Sequence, residues 1–281
     1  MRFNLTGLSI ADTRAPIETH AQLGGPGVVY NKALAIPVHI GPPWNSIEFV
    51  AIPPGKNGVG RHRQETDEIY LILRGKGTLV TNDLPRTLTP GMLAIAPRGT
   101  THAICNDGAE EPLTFLVVEL LVPADAPAHS PAFLNLLASL QESASDFYPV
   151  RVGQQRVPPL VARVNLSAYF AAPWGTLSLV SLSAGARVEE YIEAECDQLL
   201  FVVQGFASLR IRTGQESDEE IRIDADNTYH QSVVVPRGVP RSFANRASGN
   251  YPLTVACLNV LRVEGADASR RGVPEVSEAR A

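Results

Sequence analysis

The residues best suited to chemistry fall in two short segments of the first half of the chain. His62, Gln64 and Glu68 interrupt the first segment, and His102 lies in the second. Imidazole and carboxylate groups transfer protons and bind divalent ions, and they seldom occur inside an apolar strand. Residues two apart on a strand point to one face, so His62 and Gln64 can project into a common interior. If Glu68 faces inward too, Tyr70 lines the same interior, where its hydroxyl could act as acid, base or hydrogen-bond donor.

These two segments resemble the signature motifs of the cupin superfamily. The second segment, Gly91–Asn106, has the sequence G-M-L-A-I-A-P-R-G-T-T-H-A-I-C-N and agrees with the pattern G-x5-P-x-G-x2-H-x3-N at every specified position. The first segment agrees with the pattern G-x5-H-x-H-x(3,4)-E-x6-G at His62, Glu68 and Gly75. Gln64 stands where that pattern has its second histidine.

The resemblance implies one divalent metal ion per chain, held inside a small β-barrel by His62, Gln64, Glu68 and His102. Such a ligand set would leave the ion with a single positive formal charge, which suits an anionic oxygen or an activated water. An amide oxygen is a weaker donor than imidazole, so Gln64 disfavours copper-like metals but accommodates Fe, Mn, Ni and Zn. We expect Fe(II), with Zn, Ni or Mn as the alternatives.

Short apolar runs bounded by Gly, Pro or Asn-Asp turns predict an all-β chain. The runs occupy residues 46–53, 68–74, 77–81, 92–96 and 113–121, and then 176–183, 198–204, 206–212, 232–236 and 253–263. Because the same pattern of short strands and turns occurs twice, the sequence and its resemblance predict two tandem cupin (jelly-roll) β-barrels. Residues 131–142 carry apolar residues at helical spacing, which predicts a short helical linker between the barrels.

This organisation predicts four regions. They are an N-terminal cupin domain with the metal site (1–125), a linker with a short helix (126–160), a C-terminal cupin domain (161–264) and a flexible tail (265–281).

The second repeat has lost the histidines of the motifs. Residues 236–245 repeat the second motif with Arg241 at the histidine position, and Gln198 stands at the glutamate position. A fixed positive charge at a ligand position excludes a metal from this half. Two hypotheses follow for the C-terminal domain: Arg241 pairs with Glu193 in a filled, structural barrel, or Arg241 and Gln198 bind an anionic substrate or effector.

Three hypotheses for function remain open at this stage. The first is a metal-dependent enzyme acting on a small oxygen-bearing organic molecule, as an Fe(II) dioxygenase or other oxygenase, and family frequency alone favours it. The second is a non-redox isomerase, cyclase or lyase that uses Zn, Ni or Mn as a Lewis acid, with Tyr70 or a metal-bound hydroxide as base. The third is a non-catalytic cupin that binds a small molecule.

Composition narrows the class of partner. The 281 residues include 24 Lys and Arg against 29 Asp and Glu, with a formal net charge of -5, so we expect no nucleic-acid partner. Three cysteines far apart in sequence, and no apolar run of signal-peptide or membrane-span length, predict a cytoplasmic protein without membrane attachment. Cupins commonly associate through strand exchange or sheet edges, so we also expect a homodimer.

Overall fold

The computed structural model describes residues 2–3, 9–36, 40–108, 110–123, 125–142, 148–212, 218–225 and 229–262. Almost all regular structure in these residues is β-strand. The 3₁₀ helices span Gln22–Gly24, Leu137–Ser139 and Leu166–Ala168. Among the described residues, no helix is long and apolar enough to span a membrane. The predicted tail, residues 265–281, lies outside the described residues.

Strands β3 to β13 of the first half of the chain form two sheets that we call the first β unit, whereas β1 and β2 join the second unit described below. The first thirteen strands are β1 (Arg2–Phe3), β2 (Ser9–Asp12), β3 (Ile17–His20), β4 (Val28–Ala35), β5 (Trp44–Ile52), β6 (Gly58–Arg63), β7 (Thr66–Arg74), β8 (Gly77–Thr81), β9 (Leu84–Leu88), β10 (Met92–Ala96), β11 (Thr101–Cys105), β12 (Leu113–Leu121) and β13 (Ala132–Asn135). One sheet has the order β13-β10-β7-β12-β5-β4-β3, and the other has the order β6-β11-β8-β9.

The remaining strands, together with β1 and β2, form a thirteen-stranded sheet that we call the second β unit. They are β14 (Gln141–Glu142), β15 (Val150–Val152), β16 (Gln155–Val157), β17 (Leu160–Asn165), β18 (Trp174–Leu182), β19 (Ala186–Val188), β20 (Cys196–Arg212), β21 (Asp218–Ala225), β22 (Gln231–Val235), β23 (Arg241–Asn245) and β24 (Leu253–Leu261). The long strand β20 joins the two separately predicted runs 198–204 and 206–212. It bends at Gly205, which has a φ of 95°.

Alternation along the strands divides the apolar residues among three cores. On β5, Val50 and Ile52 point into the first β unit, whereas Ile47 and Phe49 point out of it. The outward residues pack with Phe201 and other residues of the second β unit into one shared core. A third core fills the interior of the second β unit. The two units are therefore fixed to each other by a continuous apolar interface.

Residues 131–142 do not form the predicted linker helix. Ala132–Asn135 instead pairs antiparallel with β10 of the first β unit, from Met92↔Asn135 to Ile95↔Ala132. Pairing with an open sheet edge satisfies the main-chain groups of this segment, which outweighs the helical spacing of its apolar residues. Only the three-residue 3₁₀ helix Leu137–Ser139 follows it.

A matching exchange occurs at the amino-terminal end of the described chain. Strand β2 pairs antiparallel with β22 of the second β unit, from Ser9↔Val234 to Asp12↔Gln231. Strand β22 stands in the second β unit where β10 stands in the first, since each pairs with the strand that carries Gln198 or Glu68. Each unit therefore receives one strand from the part of the chain that precedes or follows the other unit.

Equivalent side chains make equivalent hydrogen bonds in the two units. The amide of Asn106 donates to two main-chain carbonyls at 2.8 and 2.9 Å, and that of Asn245 donates to two at 3.0 and 2.8 Å. Asp67 accepts a main-chain N–H at 2.8 Å, and Asp197 accepts the corresponding one at 3.0 Å. These hydrogen bonds occur at corresponding positions of the two units, in which Glu68 corresponds to Gln198 and His102 to Arg241.

Candidate metal site in the first β unit

The two histidines of the motifs meet across a pair of neighbouring strands. His62 on β6 lies directly opposite His102 on β11, and their ring centroids are 4.3 Å apart. Glu68 and Tyr70 lie on β7, in the other sheet of the unit, and face the same interior. The four side chains therefore converge from the two sheets, as strand alternation predicts.

Main-chain carbonyls fix the tautomers of both histidines. The Nδ1 of His62 lies 2.8 Å from the carbonyl oxygen of Gly60, and the Nδ1 of His102 lies 3.2 Å from that of Thr100. A carbonyl only accepts hydrogen bonds, so each Nδ1 carries the proton and each neutral ring keeps a lone pair on Nε2. This is the arrangement in which a second-shell carbonyl orients a histidine ligand.

Glu68, Tyr70 and His102 form a buried hydrogen-bonded set. The hydroxyl of Tyr70 lies 2.5 Å from Glu68 Oε2 and 2.8 Å from His102 Nε2. Because the Tyr70 hydroxyl has one proton, it can donate to His102 only if it accepts one from a protonated Glu68. An ionised Glu68 would instead accept the hydrogen bond of the Tyr70 hydroxyl, which could then no longer donate to His102.

Burial sets the protonation of this set. Burial, with the charge of Glu119, raises the pKa of Glu68 to about 8. Burial, with the charge of His62, lowers the pKa of His102 to about 4. The pKa of Tyr70 also rises well above its ordinary value, because the hydroxyl is buried beside Glu68. Near neutral pH the set is therefore uncharged in the absence of a bound cation.

The structure adds two carboxylates that the motif analysis missed. Glu119 on β12 lies directly opposite Glu68, and Glu48 on β5 lies opposite Val117, two residues from Glu119 on the same face. Both are half-buried, whereas Glu68 is 1% exposed. Burial and the charge of Glu119 raise the pKa of Glu48. Each is a lone acidic residue in an otherwise apolar run, which is the signal that identified Glu68.

Gln64 lies just beyond the end of β6, outside the strand that carries His62. It follows Arg63, the last residue of β6, and is half-buried. Its main-chain carbonyl accepts the N–H of Gly99 at 2.9 Å, and this bond joins the two motif segments. Gly99 has a φ of 82°, a conformation that favours glycine at this position of the motif.

The donor set fits a divalent cation in kind. The Nε2 of His102 lies 3.3 Å from Glu68 Oε2, which matches two ligands of one ion at bond lengths of about 2.0–2.2 Å. His62 supplies a second oriented Nε2 from the adjacent strand. As the side chains are placed, no three His, Cys, Asp or Glu groups of the described residues converge tightly enough to hold an ion, and Tyr70 bridges Glu68 and His102.

The second β unit has neutral residues at the equivalent acidic positions. Gln198 is paired with Asn259 as Glu68 is paired with Glu119, and Ser178 occupies the position of Glu48. Gln198 donates to Asn259 at 2.8 Å and accepts the hydroxyl of Tyr191 at 2.7 Å. The polar groups at the centre of this unit thus bond to one another.

Arg241 brings a buried positive charge into this neutral interior. Its side chain is 0% exposed, and its guanidinium donates to the main-chain carbonyls of Val235, Pro236 and Val239 at 3.1–3.3 Å. The expected close pair with Glu193 is absent: among the described residues no ion pair joins them, and Glu193 acts on the pKa of Arg241 only as a nearby charge. The carbonyls take its place because the preceding turn aims them at the guanidinium.

Comparison with known proteins finds a family model that matches part of the chain and solved structures that share its fold. Residues 48–119, which include both histidines and all three carboxylates, match the family model of the cupin domain. No curated protein sequence matches the chain. The fold resembles that of Bacillus subtilis oxalate decarboxylase, with a TM-score of 0.63 and 13% identity over 90% of this chain and 76% of that one.

A second structural neighbour is vicilin from hazelnut, Corylus avellana, with a TM-score of 0.62 and 12% identity, covering 89% of this chain and 85% of its own. At these identities the likeness concerns the fold. The family match supports a cupin domain over residues 48–119, and the structural neighbours support a cupin-like fold.

Proposed function

We propose that the first β unit binds one divalent metal ion and that the protein is a metal-dependent cupin enzyme acting on a small oxygen-bearing organic molecule. His62, Glu68 and His102 would hold the ion, with Gln64 as a fourth donor. The observation that carries the proposal is the contrast between the units. The first unit gathers three carboxyl groups and two neutral imidazoles, whereas the second has neutral groups and its own buried cation, Arg241.

The ion would supply Lewis-acid or redox chemistry, and the chain would control its protons. A bound cation favours the ionised form of Glu68, so metal binding releases the Glu68 proton. The Tyr70 hydroxyl then donates to Glu68 and leaves His102 Nε2 available as a donor atom. We therefore assign Tyr70 as an acid, base or hydrogen-bond donor towards a substrate, in line with its predicted catalytic role.

Metal content tests this proposal directly. Plasma mass spectrometry of anaerobically purified protein should find about one metal ion per chain in the wild type. The double substitution His62→Ala/His102→Ala should lower the content to about a tenth or less, since losing even one supporting group of a metal site costs roughly 10–100-fold in affinity. His20→Ala/His129→Ala removes as many imidazoles elsewhere and should leave the content unchanged. A wild type that remains empty after reconstitution contradicts the proposal.

The same assay tests Gln64 as a ligand. Gln64→His should tighten metal binding, because imidazole is a stronger donor than an amide oxygen to borderline metals. Equal affinity in the two proteins would remove Gln64 from the ligand set.

The identity of the metal and the type of reaction are a separate proposal. We propose Fe(II) and oxygenase activity from the frequency of such chemistry in cupins. The Mn(II) centres of the oxalate decarboxylase neighbour make Mn a candidate too, together with Zn and Ni in a non-redox isomerase, cyclase or lyase. Oxygen consumption separates them: an oxygenase should consume about one O₂ for each substrate converted, whereas a non-redox enzyme turns over equally fast without oxygen.

The remaining assignments are proposals that follow from the repeat. We infer two tandem cupin barrels, of which the second is structural, because Arg241 and Gln198 already bond within the chain. If that unit binds an anionic small molecule, Arg241 and Gln198 would contact it. A homodimer and a small-molecule substrate remain our predictions. The storage-protein neighbour supports one alternative, a non-catalytic cupin that binds a small molecule.

A further inference from the structure

Two carboxylates stand beside the candidate metal ligands, nearer to solvent. Glu48 and Glu119 are half-buried, whereas Glu68, Tyr70 and His102 behind them are at most 5% exposed. Glu119 accepts the side-chain amide of Asn45 at 2.6 Å, which holds one of its oxygens in place. The acidic groups thus form a half-exposed rim above a buried floor.

The rim also includes a buried hydroxyl group, that of Ser46. Ser46 lies two residues before Glu48 on the same strand face and directly opposite Glu119. Its side chain is 6% exposed, and its hydroxyl makes no hydrogen bond of normal geometry in the described part of the chain, although it lies close enough to Glu48 to lower the pKa of that carboxyl. A buried hydroxyl without a well-formed hydrogen bond costs free energy, which a bound ligand would recover.

The fold itself does not require acids at these positions. The equivalents of Glu48 and Glu119 are Ser178 and Asn259, on strands that pair in the same register. Two like charges that face each other on neighbouring strands destabilise a sheet. The charges that act most strongly on Glu48 and Glu68 are those of other carboxylates, and the charge that acts on His102 is that of His62.

The total charge of the rim and floor determines which ligand fits. The motif ligands alone would leave a bound divalent ion with one net positive charge, which suits an anionic substrate. When Glu48 and Glu119 are included, three carboxylates outweigh the ion, and the loaded pocket has one net negative charge. A dicarboxylate would be repelled by this pocket, whereas a protonated amine would be attracted.

We propose that Glu48 and Glu119 select a substrate that carries a protonated amine beside its oxygen group, and that they exclude carboxylates. The proposal rests on the proposed function, whose pocket it describes, and it names the substrate class. The amine would lie against the two rim carboxylates, with the hydroxyl of Ser46 as a further hydrogen-bond partner, and the oxygen group would point towards the floor.

A matched pair of probes tests this selection. 2-Aminoethanol and glycolate have similar size and share a hydroxyl, but the first carries a cation and the second an anion. On Mn(II)-loaded protein, calorimetric titration should show at least about tenfold tighter binding of 2-aminoethanol, equivalent to about 1.4 kcal/mol. Glu48→Gln/Glu119→Gln should weaken 2-aminoethanol and strengthen glycolate, so that the preference disappears or reverses. Glu65→Gln, which neutralises an exposed carboxylate near the motif, should keep the wild-type preference.

The outcomes separate this inference from the proposed function. Stoichiometric metal together with equal affinities for the two probes, or with a preference unchanged in the double variant, overturns the inference alone. Protein that takes up no metal overturns the proposed function, and the same two probes titrated into metal-free protein by NMR then still decide whether the rim selects the amine. The double variant removes like-charge repulsion, so it should fold, and circular dichroism checks that it does.

Discussion

Metal-free protein should become less stable as the pH rises from about 6.5 to about 8, by roughly 1 kcal/mol from the Glu68–His102 pair. The pKa of Glu68 rises from 4.5 to about 8 on folding, so the folded state binds the Glu68 proton more tightly. Its contribution to stability is fully present below pH 4.5 and is lost as the pH rises to about 8.

His102 contributes with the opposite sign. Its pKa falls from 6.5 to about 4 on folding, so stability is fully present above pH 6.5 and is lost as the pH falls to about 4. Between pH 4.5 and 6.5 the two slopes oppose each other and the pair contributes little pH dependence. The unfolded His102 is half protonated at pH 6.5 and neutral by about pH 7.5, above which only the loss from Glu68 remains.

Urea unfolding with a chelator present, from pH 5 to 8.5, measures this behaviour. Glu68→Gln removes the ionisation, so the difference in unfolding free energy between this variant and the wild type should grow by about 1.4 kcal/mol per pH unit up to pH 8. Glu65→Gln, at an exposed site, should run parallel to the wild type. If the unfolding free energies of Glu68→Gln and the wild type changed with pH in parallel, Glu68 would be ionised in the folded protein even without a cation.

Strand positions were predictable where the signal is local. The runs that became β5, β7, β8, β10 and β12 are apolar, short and bounded by turn residues, so their sequences alone indicate strands. The prediction of a helix over residues 131–142 was wrong. Its apolar spacing suits a helix, but the strand edge with which the segment pairs, that of β10, lies about 40 residues away in sequence. The exchanged strand β2 was missed for the same reason: its partner β22 lies in the other half.

The candidate site was predictable as far as its motifs extend. His62, Glu68 and His102 carry a recognisable spacing, and the structure brings them together with Tyr70. Glu48 and Glu119 lie outside both motifs, and their place opposite Glu68 depends on the register of three neighbouring strands. Their addition reverses the charge inferred from the motif ligands, so substrate class could not follow from the motifs alone.

Removal of strand β2 should destabilise the second β unit, although β2 lies at the opposite end of the chain. β2 pairs with β22 over four residues, and Thr13 extends the contact through two hydrogen bonds with His230, at 3.0 and 2.9 Å. Ile10 packs against the core of the second unit. Losing the paired main-chain groups at about 1 kcal/mol each, with the apolar cover, should lower the unfolding free energy by roughly 3 kcal/mol or more.

Trp174 reports on this loss from β18 of the second unit, where it packs in the core shared by the two units; the other tryptophan is Trp44 on β5 of the first unit. In a Trp44→Phe background, deletion of residues 1–13 should shift the Trp174 unfolding curve to lower urea. Ile10→Asp should shift it in the same direction, since it places a carboxylate against an apolar core. Ile17→Asp, at a side chain 71% exposed on β3, should leave it in place. Equal curves for the two aspartate variants would mean that β2 does not support the second unit, whereas a shift for Ile10→Asp alone establishes that a strand from before the first unit stabilises the second.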